Sequence, residues 1–344
     1  MDFSIGGFWF KNKHKNFNNK GGIFLVVMLY CFHLIVILFR SDNIKHSIKN
    51  FSEIFAMAKV KKDSIVAVAC AADAHVLEAA LDASVSGIAK FVLFGDEAKI
   101  LRVAEENNID ISAHKILHEV NEVEACKAAV SLVSEGAASA LMKGSVETSV
   151  IMKAVLDKEG GMRTGKKLSH IAAFELPTYH KLLFVTDAAI NIAPDLDAKK
   201  DIIINAVEAL ENLGLHNPKT ALLAAKEKSD EKMPVTLEYD ALVKMHKNGG
   251  FASNAVLDGP LALDNAVSSE SCEIKGIKSP VGGDSDILIC PDIEAGNILY
   301  KSLAFLAGGK NGGVALGALR PVILTSRADS AESKLISITL SVLF

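Results

Sequence analysis

The sequence predicts an α/β protein built as two doubly wound α/β domains, and three observations lead there. At 344 residues the chain has length for about two domains of ordinary size. From Ser64 onward, short β-branched runs alternate with amphipathic segments, the pattern of parallel strands joined by crossover helices. Small, polar and charged residues follow directly after those runs, at the strand ends where doubly wound sheets hold their ligands.

Taken in order, Ile65 to Cys70 (IVAVAC) reads as a first buried strand. Asp73 to Val85 reads as a helix, because Asp73 can accept a bond from a first-turn N–H and Gly87 tolerates the left-handed exit. Lys90 to Phe94 (KFVLF) is the next strand, followed by helices at Glu97 to Asn107 and Glu122 to Ser134, strand Ala138 to Met142 (ASALM) and helix Thr148 to Leu156. Strand Leu182 to Thr186 (LLFVT), helix Ala198 to Leu213, strand Thr220 to Ala224 (TALLA) and helix Leu237 to Lys247 continue the alternation. Ala255 to Leu257, Ile287 to Cys290 and Val322 to Thr325 read as late strands, with a closing helix over Asp329 to Val342. One edge of the sheet then collects Lys143-Gly144-Ser145, Asp187, Asp258-Gly259-Pro260, Pro291-Asp292 and Ser326-Arg327.

Composition removes several classes of function. Lys plus Arg total 37 against 41 Asp plus Glu, and a net charge of -4 provides no footprint for nucleic acid. Cys31, Cys70, Cys126, Cys272 and Cys290 are odd in number, scattered and without a CxxC pair, which fits neither a disulfide framework nor a zinc site and leads us to expect a reducing cytoplasm. The N-terminus departs from this picture. Gly22 to Phe39 (GIFLVVMLYCFHLIVILF) is a charge-free apolar run between Lys20 and Arg40. A spanning helix needs about 20 apolar residues, so this run with its interior His33 is a marginal anchor. A signal peptide is the other membrane reading, but no small-x-small cleavage site follows in LFRSDNIKHS. The preceding FWFKNKHKNFNNK is rich in Phe, Lys and Asn, as translated AT-rich DNA would be. Residues 1–43 are therefore expected to be an extension from an upstream mis-called start, with a weak anchor over 22–39 as the alternative.

Pro321 to Ser330 (PVILTSRADS) carries the strongest local signal. A strand ends in Thr-Ser-Arg and a helix begins almost at once. The helix start offers unpaired N–H groups, Ser326 a hydroxyl, and Arg327 a planar fork matching two phosphate oxygens. Ordinary capping is the competing reading, with Asp329 as cap and Glu332 completing a capping box. Gly160 to Lys167 (GGMRTGKK) approaches the P-loop pattern, but Lys167 replaces the magnesium-binding hydroxyl and a helical pattern precedes it where a strand is required. His114 and His118 in HKILHE have i, i+4 spacing, yet Glu119 lies outside the pair, and a surface segment is expected. The glycines of Ala307 to Gly317 (AGGKNGGVALG) do not fit a dinucleotide fingerprint, and a mobile loop is expected there. No GxSxG elbow occurs, and nothing supports covalent nucleophilic catalysis.

Asp258 to Ala266 (DGPLALDNA), Ser279 to Lys301 (SPVGGDSDILICPDIEAGNILYK) and PVILTSRADS together, in this order and spacing, resemble the phosphate acetyltransferase and phosphate butyryltransferase family. Ala140 to Leu156 (ALMKGSVETSVIMKAVL) and Met162 to Glu175 (MRTGKKLSHIAAFE) look like the butyryl branch in particular. The resemblance implies two α/β domains with an interdomain cleft, as in the isocitrate and isopropylmalate dehydrogenases. The first domain is discontinuous, over 44–166 and 316–344, and 167–315 forms the second.

The same resemblance implies the reaction acyl-CoA plus phosphate giving acyl phosphate plus CoA, with butanoyl-CoA expected and acetyl-CoA the alternative. It implies small-molecule substrates, no metal or other cofactor, and a homodimer or larger assembly. The family's phosphate-contacting serine and arginine fall on Ser326 and Arg327, with Thr325 beside them. A second family arginine falls near Lys153, which can act as a point charge but makes no bidentate contact; Lys143 and Asp292, at neighbouring strand ends, join the expected phosphate and CoA contacts. Where the acetyl branch places an aspartate base, Ser333 stands, leaving Asp329 and Glu332 as candidates for proton transfer. A metal- and NAD-dependent dehydrogenase using Asp258 and Asp292, and a membrane-anchored binding protein using 22–39, are the rival readings.

Overall fold

The first elements of the chain are α1 (Phe51–Val60), β1 (Ile65–Ala69), α2 (Ala74–Val85), β2 (Lys90–Gly95), α3 (Glu97–Glu106) and β3 (Lys115–His118). They are followed by α4 (Glu122–Ser134), β4 (Ala140–Lys143) and α5 (Thr148–Val155). The middle of the chain forms β5 (Ser169–Glu175), β6 (Leu183–Thr186), α6 (Leu196–Asn212), β7 (Lys219–Leu223), α7 (Pro234–Lys247) and β8 (Val256–Leu261). Short helices α8 (Leu263–Val267) and α9 (Ser269–Lys275) precede β9 (Ile287–Ile289) and α10 (Ile293–Lys301), which runs into a π-helical turn, Ser302–Leu306. The chain closes with β10 (Lys310–Leu316), β11 (Val322–Ile323) and α11 (Ala331–Leu343). This computed structural model describes residues 47–251, 253–324 and 329–344, all within the unit Lys45–Phe344. The apolar run 22–39 lies outside the described residues. Among those that are described, no helix is long and apolar enough to cross a membrane.

The strands make one eleven-stranded sheet in the order β3-β2-β1-β4-β11-β10-β5-β6-β9-β7-β8. On one flank β3, β2, β1, β4 and β11 pair in parallel; on the other, β6, β9, β7 and β8 do so. The flanks meet through antiparallel β10 and β5, in register from Lys310 opposite Glu175 to Leu316 opposite Ser169. Strands drawn from 44–166 and 316–344 (β3, β2, β1, β4 and β11) therefore lie on one side of the boundary between β11 and β10, and those drawn from 167–315 lie on the other, β10 contributing all but its last residue.

Local chemistry explains the helix starts: Asp73, Asp96, Asn121, Asp195 and Asp292 each accept a first-turn N–H of the helix they precede. At the opposite ends of β6, β7 and β9, buried Lys181 bridges Asp284 at 2.9 Å and Asp286 at 2.6 Å. Asp286 also accepts the Lys219 N–H at 2.8 Å, which ties the three strand starts together.

Several expectations need correction. The glycine-rich 307–317 segment is mostly β10, at the centre of the sheet, and no loop. Its partner β5 and the helices α8, α9 and α10 were not among the predicted elements. The HKILHE segment is at the surface as expected, exposed at Lys115 and His118, but it forms edge strand β3, and His114 just before it is buried against Phe91, ring centroids 5.5 Å apart. The last helix starts later than expected: its cap is Ser330, whose Oγ accepts the Ser333 N–H at 3.0 Å, so neither Asp329 nor a capping box with Glu332 performs that role.

Candidate active site

The site grows from two adjacent glycines of β10. Helix α11 rests directly on the sheet at Gly312, where a Cβ would come within 2.5 Å of Ile336 Cγ2 and 2.8 Å of the Ser337 nitrogen. At Gly313 a Cβ would lie 2.6 Å from Nε2 of His170, which β5 presents from the neighbouring strand. The Gly313 N–H donates to Ser337 Oγ at 3.0 Å and joins strand to helix. What these missing side chains leave open is a cavity of about 160 Å³. Leu324, Asp329 and Ser333 wall it on the α11 side, Asn297, Tyr300 and Lys301 on α10, and Ala188 and Ala189 on the loop after β6.

Polar groups around this cavity are held firmly. Buried Asp187 accepts the Ala189 N–H at 2.9 Å, the Ile190 N–H at 3.0 Å and Asn191 Nδ2 at 2.6 Å, which folds the loop after β6 into one shape. Tyr300 donates to Asn311 Oδ1 at 2.8 Å, and burial together with the charge of Asp329 pushes its phenol up to about 12. His170 meets the edge of Tyr300 with ring centroids 6.1 Å apart. Its Nδ1 is shielded from solvent and has no hydrogen-bond partner among the described residues. Burial holds the imidazole below its usual proton affinity, against the opposing pull of Asp187 and Asp329.

The predicted residues fall in different places. Thr325, Ser326 and Arg327 lie outside the described residues, while Leu324 and Asp329 on either side of them both line the cavity. Ser333, at the position where the resemblance implies a carboxylate base, lines it too. Glu332 is exposed and pairs with Lys310 at 2.7 Å. Asp292 caps α10, accepting the Ala295 N–H at 2.8 Å, and lines a separate, largely apolar cavity of about 710 Å³ on another face of that helix. Lys143 turns back on its own loop, donating to the carbonyls of Gly144 at 3.2 Å and Val146 at 3.1 Å. Lys153 is exposed in the last turn of α5. None of Glu332, Asp292, Lys143 and Lys153 lines the smaller cavity.

Asp258 accepts from Ser279 Oγ at 2.6 Å, and it does not join Asp292 in a cluster. No group of three or more His, Cys, Asp or Glu side chains among the described residues is arranged to hold a metal ion. Sequence reasoning missed His170 and Tyr300 as cavity groups, while Asp187, read at the sheet edge, sits beside the cavity wall at Ala188 and Ala189. The only local signal was His170 within LSHIAAFE, a polar residue opening a strand that was not predicted.

Residues 114–342 match the family described as phosphate acetyl/butaryl transferase. The chain is 45% identical to a phosphate butyryltransferase of Clostridium acetobutylicum over 296 residues, 86% of this chain and 98% of the relative. It is 40% identical to a phosphate acetyltransferase of Rhizobium meliloti over 294 residues, 86% of this chain and 93% of that one. Among solved structures, a branched-chain phosphotransacylase from Enterococcus faecalis V583 superposes with a TM-score of 0.72 at 35% identity, covering 81% of this chain and 98% of the other.

Proposed function

Because the chain belongs to the phosphate acetyl/butaryl transferase family, and is a phosphate acyltransferase on that ground, we propose that it exchanges coenzyme A for inorganic phosphate on butanoyl-CoA, with acetyl-CoA as the alternative substrate. The observation that carries the location is the polar cavity at the head of α11, walled by the residues on both sides of 325–328. Ser326 and Arg327 grip the phosphate there, with Arg327 offering a two-pronged contact to its oxygens.

A phosphate oxygen attacks the thioester carbonyl, a tetrahedral oxyanion forms, and the CoA thiolate leaves. Both reactants are anions, so holding them together is the first task, and such positioning can remove about 7–11 kcal/mol of the barrier. The Ser326 hydroxyl or a first-turn N–H of α11 hydrogen-bonds the oxyanion, an interaction typically worth about 3 kcal/mol. The proposal assigns no phosphate contact to Lys143, Lys153 or Asp292, which do not line this cavity. It includes two lobes, 44–166 with 316–344 and 167–315, of the kind found in isocitrate and isopropylmalate dehydrogenases. Their support is the division of the sheet between β11 and β10.

A thiol-release assay with acetyl-, propionyl-, butyryl- and isobutyryl-CoA, with and without phosphate, tests this reading. Phosphate-dependent release is expected, fastest with butyryl-CoA. Acetyl-CoA as the preferred substrate would shift the reading to its alternative, and no phosphate dependence with any thioester would refute it.

A further inference from the structure

We propose that the imidazole of His170 carries the thiol proton of coenzyme A during acyl exchange; the proposal rests on the acyl-transfer reading above. The reaction needs a group that takes this proton when acyl phosphate is the acyl donor and returns it when acyl-CoA is. Ser333 holds the position where a carboxylate was expected, and an unactivated hydroxyl is a poor base near neutral pH. Glu332 faces away, paired with Lys310. The Tyr300 hydroxyl is committed to Asn311. That leaves Asp329 and His170 as the titratable acceptors on the cavity wall. An ordinary imidazole is closer in proton affinity to a thiol than an ordinary carboxylate is, which favours His170 as the acceptor even though burial lowers it.

The setting of His170 fits this task. Its Nδ1 has no partner among the described residues, and its ring lies on the cavity wall, unlike that of His114, whose nitrogens are also unpartnered but which packs against Phe91. Gly313, bare of a side chain, leaves room for the ring, since a Cβ there would approach Nε2 to 2.6 Å. Asp187 from the loop after β6 and Asp329 from the approach to α11 act on the imidazole as charges, and Tyr300 and Lys301 of α10 complete the ionisable surroundings. Burial keeps the resting ring neutral and able to accept. The two carboxylates stabilise the imidazolium once it forms.

With acyl phosphate as donor, the S–H bond breaks and its proton passes to an imidazole nitrogen. The sulfur lone pair forms the new bond to the carbonyl carbon. The carbon–oxygen bond to phosphate then breaks, and phosphate leaves with that electron pair and takes the proton from the imidazolium, which returns the ring to neutral. In the other direction the attacking hydrogenphosphate gives its proton to the ring, and the imidazolium passes it to the departing thiolate. Nothing is oxidised or reduced.

The test is the pH profile of acyl-phosphate-plus-CoA turnover in the full chain and in His170→Asn and His170→Gln, over roughly pH 6 to 9. The native protein is expected to be flat across neutrality, with any acid limb displaced below the ordinary imidazole range by burial of the ring. Both variants should lose about 100-fold near pH 7, with the deficit shrinking about tenfold per pH unit as solvent supplies the thiolate. A deficit equal at every pH, or full activity in either variant, would overturn the proposal while leaving acyl transfer intact. Inactivity of the native protein would instead remove the acyl-transfer reading itself. A measurement independent of any variant is NMR titration of the native His170 ring: neutral at pH 7 is expected, and an imidazolium persisting there would contradict the assignment.

Discussion

Arg327 is the side chain whose removal should cost the most. Its guanidinium is assigned both charge and a planar two-donor contact to phosphate, so Arg327→Ala should lower kcat/KM for phosphate about 100-fold. Arg327→Lys should restore only part, since an ammonium returns the charge without the fork. Steady-state kinetics with phosphate varied would check this, and near-native values for Arg327→Ala would place the anion grip elsewhere. The Ser326-Arg327 turn was legible because strand, hydroxyl, guanidinium and helix start are contiguous in sequence. Asp329 was legible as a member of that turn and as a candidate site residue, and it lies on the cavity wall. Ser330 takes the cap, and only the observed helix start reveals it. His170 was illegible for a different reason: the groups that define its surroundings come from the loop after β6, α10 and the approach to α11. No spacing in the sequence brings them together.

At the scale of elements, most parallel strands and the longer crossover helices were read with small boundary shifts, because alternation of apolar runs and capping aspartates are local signals; edge strand β3 and helices α1, α8, α9 and α10 were not. Helix α4 matched at both ends, and Asp73 caps α2 as expected. The β10–β5 pair was hidden. Lys310–Leu316 is glycine-rich and has low strand propensity, so composition points to a loop; long-range pairing and contact with α11 decide otherwise. Those contacts predict that Gly312→Ala is destabilising. The added methyl would press on Ile336 and the Ser337 backbone, and overpacking of this kind costs about 1–3 kcal/mol. Urea unfolding should show the midpoint fall. An unchanged midpoint would mean that α11 does not rest on β10 as closely as described.

At the scale of the whole molecule, the sequence motifs that resembled the phosphate acyltransferases lie far apart in the chain, and the fold gathers part of them around one helix. SPVGGDSDILICPDIEAGNILYK supplies β9 and α10, and PVILTSRADS leads from β11 towards α11, with α10 and α11 on two sides of the same cavity. The order of strands could not be read from sequence, because the insertion of β10 between β11 and β5 depends on a return of the chain that no local pattern encodes. The central claim, transfer of an acyl group to phosphate, is tested most directly by ³¹P NMR of the full chain with butyryl-CoA and inorganic phosphate. We predict an acyl phosphate resonance growing in step with free thiol, one for one. Thiol released without acyl phosphate, the signature of simple hydrolysis, would contradict the account.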